Sequence, residues 1–319
     1  MMLEKSGSMR SAYGDALIEL GAENPRVVVL GADTTDSIKS ANFGIKYPER
    51  FFNMGIAEQN LIGVASGFAF AGKIVYAGTY AIFVPGKCVD QIRNIVAYAN
   101  LDVKIVCSHG GVSVGPDGGS HQQMEDIAIM RAIPRMRVVV PADAIATKVI
   151  IKAVADIPGP FYVRISRGIS GANSAIVYDD GMEYHLGNGN VLREGKDAVI
   201  FACGLLVPEA LKAADSLQKR GVSVAVIDIH TVKPIDEKLI TRYGKSCGFA
   251  VTAEEHNIFG GLGSAVAEVL SDGYPIPVKR VGVMDTFGES GEAAELMTKY
   301  GLTADKIEQA VFASRAEKR

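Results

Sequence analysis

The chain has 319 residues, 48% of them hydrophobic and 22% charged, a length that suggests about two domains with ample material for buried cores. Lys and Arg total 33 against 36 Asp and Glu, so no global charge favours nucleic acid or an anionic membrane surface. The start lacks a signal-peptide core, and the most apolar stretch, 67–84, is interrupted by Lys73, glycines and tyrosines, so a cytoplasmic protein is expected.

Short β-branched runs alternate with helical patterns along the whole chain, which predicts an α/β fold built on mostly parallel sheets covered on both faces. In the first part the strand candidates are Val27–Leu30, Ile74–Ala77, Val103–Ser108, Val138–Val140 and Phe161–Ile165. Between them a helix is predicted over Ala57–Ala71, where Ala57, Leu61, Ala65 and Phe68 recur on one face. Another is predicted from Asp143 to Ala155, with Asp143 as its N-cap. Beyond Ser166 the pattern weakens into Gly, Ser, Asn and Asp, which reads as a linker. A second alternating set follows. Its strands are Ala198–Ala202, Val222–Asp228, Phe249–Ala253 and Val278–Val283; its helices run through Leu211 and Leu217, around Leu239, from Gly263, and at the C-terminus. The expected organisation is two doubly wound domains, 1–172 and a smaller 191–319, joined by a linker at 173–190. Cys88, Cys107, Cys203 and Cys247 show no C-x-x-C spacing and read as reduced, packed thiols.

Four places could carry chemistry. Glu58 opens the predicted helix after Asn53-Met54-Gly55, a position where an acid ordinarily serves the helix dipole. Its apolar neighbours Phe51, Phe52, Ile56, Leu61 and Ile62 suggest instead a sheltered carboxyl that can share a proton with a heteroaromatic nitrogen. Ser108-His109-Gly110-Gly111 and Gly115-Pro116-Asp117-Gly118-Gly119-Ser120-His121-Gln122 form a glycine-rich loop after a strand, where parallel α/β sheets hold ligands. With no third ligand close to the two histidines, a metal site is disfavoured, and no metal ligand is assigned. Their sharper use is to hold a polyhydroxylated substrate and move its protons, against a plain structural loop. Arg164-Ile165-Ser166-Arg167 could pair with a phosphate, and Thr79-Tyr80-Ala81-Ile82-Phe83 is either core or an aromatic platform.

These elements, with Gly31-Ala32-Asp33 and Gly55-Ile56-Ala57-Glu58-Gln59, occur together in the order of one family. The chain resembles transketolase from its pyrimidine-binding domain to its C-terminus. The resemblance implies that Glu58 hydrogen-bonds the aminopyrimidine of thiamine diphosphate and so lets the cofactor activate itself. It implies that Phe83 stacks on the pyrimidine with Tyr80 beside it, and that Asp33 lies by the cofactor at a subunit interface. It implies that His109, Asp117 and His121 contact the sugar, that Ser37 and Arg167 hold its phosphate, and that a two-carbon ketol unit passes from a ketose phosphate to an aldose phosphate. His109 and His121 count with Glu58 as catalytic.

Two departures stand out. The family's usual tyrosine three residues after the stacking phenylalanine is Gly86 here. The Gly-Asp-Gly motif that binds diphosphate and Mg²⁺, with its downstream Asn, appears nowhere, and the N-terminal arginine and histidines that complete the sugar site are missing too. A split transketolase is therefore expected. A separate N-terminal subunit would bring the diphosphate domain and the Mg²⁺ ligands, in an assembly with two copies of each chain. The beta subunit of a 2-oxoacid dehydrogenase decarboxylase shares the Gly-Ile-Ala-Glu-Gln signature, and deoxyxylulose-phosphate synthase shares the histidine loop. A catalytically silent paralogue and a nicotinamide dehydrogenase are the readings from other classes. Gly260-Gly261-Leu262-Gly263 fails the dinucleotide pattern at Val266 and reads as a tight turn.

Overall fold

The computed structural model describes residues 5–170 and 173–317. Its first sheet has seven strands in the order Thr231–Lys233, Arg137–Val139, Phe161–Arg164, Val103–Ser108, Ile74–Tyr80, Val27–Gly31 and Phe51–Asn53. All neighbours are parallel except the first pair. The second sheet has five, ordered Val278–Val283, Ala250–Asn257, Ala198–Ala202, Val224–Asp228 and Asn190–Arg193, and only the last pairs antiparallel. The fold is α/β with two doubly wound sheets.

Every residue of Val27–Gly31, Val103–Ser108 and Ala198–Ala202 is buried. Helices cover both faces, so these strands are apolar at nearly every position instead of alternating. The core accordingly forms two layers. Val27, Val29, Ile200 and Ala202 belong to one; Val28, Leu30, Val199 and Phe201 belong to the other, so each layer runs through both sheets.

The expected elements are present with shifted ends. The helix predicted from Ala57 spans Glu58–Phe70, and the one after Asp143 spans Ala144–Ala153. Asp143 caps it as expected, accepting from the Ala146 N–H at 2.7 Å. The strand predicted to include Ile165 stops at Arg164. Part of the segment read as a linker is held firmly. Ser174–Ala175 pairs with Ser6–Gly7, and the second carboxylate oxygen of Asp143 accepts from Val177 N and Tyr178 N at 2.6 and 2.9 Å. Thr231–Lys233, beyond the Val224–Asp228 strand, crosses back to the edge of the first sheet. Lys233 Nζ donates there to the Arg131 and Ile133 carbonyls, each at 2.6 Å. Among the described residues no helix is long and apolar enough to cross a membrane. All four cysteines are buried, as their apolar contexts suggested.

Candidate functional site

Glu58 owes its position to a short polar brace. At the end of the Phe51–Asn53 strand, Asn53 Oδ1 accepts from Asp33 N at 2.9 Å and Gly55 N at 3.2 Å, while its Nδ2 donates to Asp33 Oδ1 at 3.3 Å. Gly55 has φ +71° and Asp33 φ +60°, both left-handed, so two strand-end loops turn sharply and are tied together there. The chain then enters the helix at Glu58. The buried residues of that helix are Glu58, Leu61, Ile62, Ala65 and Ser66, the spacing of a single stripe. Glu58 is thus the first residue of the inward face, 6% exposed, and not a solvent-facing acid that merely complements the dipole.

Its neighbour is a residue that the motif reading passed over. Lys87 Nζ lies 3.4 Å from Glu58 Oε2 and 4.7 Å from the centre of the Phe83 ring, so one ammonium touches both carboxylate and aromatic face. Gln59 Nε2 donates to the Lys87 carbonyl at 2.9 Å. A Cβ at Gly86 would meet nothing within 4 Å, so the place of the family's tyrosine is open space.

The aromatic run follows from the end of the Ile74–Tyr80 strand. One tight turn over Ala81–Phe83 presents Tyr80 and Phe83 nearly parallel, centroids 5.8 Å apart. Tyr80 stacks on the His109 imidazole at 3.8 Å, and Phe83 meets His121 edge-on at 5.5 Å. Glu58, Lys87, Phe83, Tyr80, His109 and His121 are therefore linked by successive contacts.

The loop carrying the histidines bends through Gly111, Gly115 and Gly118, all at positive φ, and His109 itself has φ +60°. A non-glycine residue held there is strained, a cost that functional sites often carry. Ser108 Oγ and His109 Nδ1 lie 2.6 Å apart, and Ser120 Oγ and His121 Nδ1 3.1 Å. Burial, with the nearby charges of Arg10, Arg167 and His121, pushes His109 down to about 3, so its imidazole is neutral at physiological pH. Asp117 ends the turn at an exposed position, and Asp33 is likewise exposed and is tied to the site through Asn53. Among the described residues no group of three or more His, Cys, Asp or Glu is arranged to hold a metal.

A second cation of this site, after Lys87, escaped the motif reading. Arg10, in the helix Met9–Glu23, donates from Nη1 to the Ser37 carbonyl at 2.9 Å and to Ser37 Oγ at 3.2 Å. Tyr80 Oη donates to the same Oγ at 2.8 Å. This chain thus contributes an arginine at Ser37 that the motif reading did not name. Burial and the charge of Arg167 both lower Arg10 from its ordinary value. Among the described residues neither Arg10 nor Arg167 pairs with a carboxylate, and Arg10 Nε is a buried donor without a partner. Two like charges beside a neutral imidazole, with hydroxyls from Ser37 and Tyr80, suit an anion. Arg167 also donates to the Val114 carbonyl. Arg164, three residues earlier, is turned inward instead: it is 5% exposed, and its Nε lies 2.9 Å from Asp126 Oδ2 inside the protein.

The glycine run at 260–263 is a helix entrance closed from within. Glu254 Oε2 accepts from Leu262 N at 2.6 Å and Oε1 from Gly263 N at 2.8 Å. The amides that would greet a dinucleotide phosphate are satisfied by that carboxylate. A Cβ on Gly261 would come within 2.1 Å of Glu254, which explains the glycine.

The residues present fit the aminopyrimidine end of thiamine diphosphate: a sheltered carboxylate beside an aromatic face. The transketolase pyrimidine binding domain matches residues 5–171 and the transketolase C-terminal domain residues 187–307. A Methanocaldococcus jannaschii protein named provisionally as a transketolase C-terminal section is 46% identical over 98% of each chain. The 6-deoxy-6-sulfo-D-fructose transketolase subunit SqwH of a Clostridium species is 40% identical over 95% of this chain and 92% of its own. The structure of a split gene transketolase, described as an inactive beta4 tetramer, superposes with a TM-score of 0.88 at 47% identity, covering 98% of this chain and 99% of that one. The chain belongs to the transketolase family, with a pyrimidine-binding domain followed by the family's C-terminal domain.

Proposed function

We propose that this chain is the C-terminal subunit of a split, thiamine-diphosphate-dependent transketolase, which moves a two-carbon ketol unit from a ketose phosphate to an aldose phosphate. An N-terminal subunit supplies the diphosphate domain and the Mg²⁺ ligands, and two copies of each chain make the assembly. Thiamine diphosphate, when bound, supplies the carbanion chemistry that breaks and forms the carbon–carbon bond. Glu58 holds a proton at the aminopyrimidine nitrogen, and Phe83 and Tyr80 orient that ring. His109 and His121 bind hydroxyls and move their protons, with His109 as the neutral partner, and Asp117 contacts the donor's hydroxyl. Arg10, Arg167 and Ser37 hold the phosphate.

What supports this reading is the contact path from Glu58 through Lys87, Phe83 and Tyr80 to Ser37 and Arg10: a buried carboxylate at one end, an arginine without a carboxylate partner among the described residues at the other, and aromatic and imidazole rings between them. An anion site also agrees with relatives named for sulfo-fructose and apulose-4-phosphate, both of which carry a terminal acid. The test is reconstitution with a diphosphate-domain chain, thiamine diphosphate and Mg²⁺, assayed with xylulose 5-phosphate and ribose 5-phosphate. Ketol transfer that falls on the order of 10²–10⁴-fold in Glu58→Ala is expected. Undiminished transfer in that variant refutes the role of Glu58, and decarboxylation of a 2-oxoacid without sugar chemistry would put the dehydrogenase subunit in its place.

A further inference from the structure

The Ala250–Asn257 strand of the second sheet pairs with Ala198–Ala202 only as far as Ala253. The residues beyond it, Glu254, Glu255 and His256, are buried and reach toward the first domain. Glu254 turns to cap the helix Leu262–Gly273 that follows its strand, whereas Glu255 points toward the first domain. Its Oε1 accepts from the backbone N–H of Ser113 at 2.6 Å, at the start of the turn Val112–Asp117. Its carboxyl lies so close to Gly111 that a Cβ there would come within 2.3 Å. Arg164 Nη2 fixes the Glu255 carbonyl at 2.8 Å and reaches the Gln123 carbonyl at 3.4 Å, across the loop's far end. The same loop rests on the second domain once more, where Gln122 Nε2 donates to the Glu289 carbonyl at 2.9 Å.

The loop has no regular ladder of its own, and Ser113 is fully buried, so its N–H depends on this one carboxylate. We infer that Glu255, a residue of the C-terminal domain, is a positioning residue for sugar binding: by holding the Ser113 amide it sets the course of the loop between His109 and Asp117. The C-terminal domain thereby takes part in substrate recognition without touching the substrate. Burial raises the Glu255 carboxyl while Arg164 opposes. A neutral amide that still offers an acceptor oxygen is therefore the fitting conservative replacement.

The inference rests on the ketol-transfer reading only for the choice of substrate, and the test separates the two. Amide hydrogen exchange over 109–123 is measured on the full chain alone for wild type, Glu255→Ala and Glu255→Gln. Exchange at Ser113 rises in the alanine variant and returns toward wild type in the glutamine variant. In the reconstituted complex, Glu255→Ala lowers kcat/KM for xylulose 5-phosphate on the order of ten- to a hundred-fold, the effect of orphaning a buried N–H. Calorimetric affinity for thiamine diphosphate stays within about twofold, since Glu58 is held by other elements, and Glu255→Gln recovers most of the loss. Unchanged exchange in Glu255→Ala, a parallel loss of cofactor and sugar binding, or a glutamine variant no better than alanine would each overturn it. If the wild-type complex transfers no ketol unit, the proposed function fails, and the exchange measurement alone decides the role of Glu255.

Discussion

Arg10→Gln tests whether the anion site is real. The guanidinium lies 2.9 Å from the Ser37 carbonyl and beside Arg167, with no carboxylate among the described residues to offset either charge. A charge-assisted hydrogen bond to a substrate phosphate is worth about 1.5–3 kcal/mol, which corresponds to roughly a ten- to hundred-fold loss in kcat/KM. Glutamine keeps a donor near Ser37, so the hydroxyl network with Tyr80 persists and the loss follows the charge. The assay compares a phosphorylated ketose donor with its non-phosphorylated analogue in the reconstituted complex. The first loses the full factor and the second changes by less than about threefold. A second readout needs no activity. After burial, Arg10 is the largest influence holding His109 down, so Arg10→Gln raises His109 from about 3, measured by NMR titration of the imidazole in the chain alone. Equal losses for both donors, with His109 unmoved, would mean that Arg10 merely props Ser37.

Lys87→Met removes the ammonium lying between Glu58 and Phe83, the two groups proposed to receive the aminopyrimidine. A half-exposed ion pair and one cation–π contact together amount to about 1–2 kcal/mol, so calorimetric affinity for thiamine diphosphate tightens several-fold, whereas weakening would make Lys87 a cofactor ligand. Asp228, fully buried with Tyr178 Oη donating to Oδ2 at 2.7 Å, has its carboxyl pushed up to about 8 by burial. The folded state therefore holds a proton that the unfolded chain releases near pH 4, and this contribution to stability fades as pH rises from about 4 to 8. Asp228→Asn should flatten that part of the curve of urea midpoint against pH; an unchanged slope would show Asp228 to be ionised in the fold.

Where continuous burial shapes a segment, the sequence was readable. Val103–Ser108 and Val278–Val283 have the bounds expected of them, because β-branched residues recur along both. Glu58 reads as sheltered because of its apolar neighbours; Leu61 and Ile62 do mark the inward face of its helix, whereas Ile56 is largely exposed. What escaped depends on distant groups. Arg10 sits among residues with no motif, and only the packing of its helix beside Ser37 gives it a role. Lys87 looks like a solvated lysine until Glu58 and Phe83 converge on it. Nothing in the composition of Glu254-Glu255-His256 foretells that all three are buried; they are, because each acid meets backbone amides supplied by other segments. Thr231–Lys233 is too short for any periodicity, so its return to the first sheet left no trace in the pattern.

That returning strand limits where such a polypeptide can be cut. A break within residues 179–189, where composition suggests a natural seam, would strip Thr231–Lys233 from Arg137–Val139 and leave a raw sheet edge, a ready template for aggregation. It would also divide the two continuous core layers. The two halves of this chain therefore fold as partners that complete each other's sheet and core, although they look like separable modules.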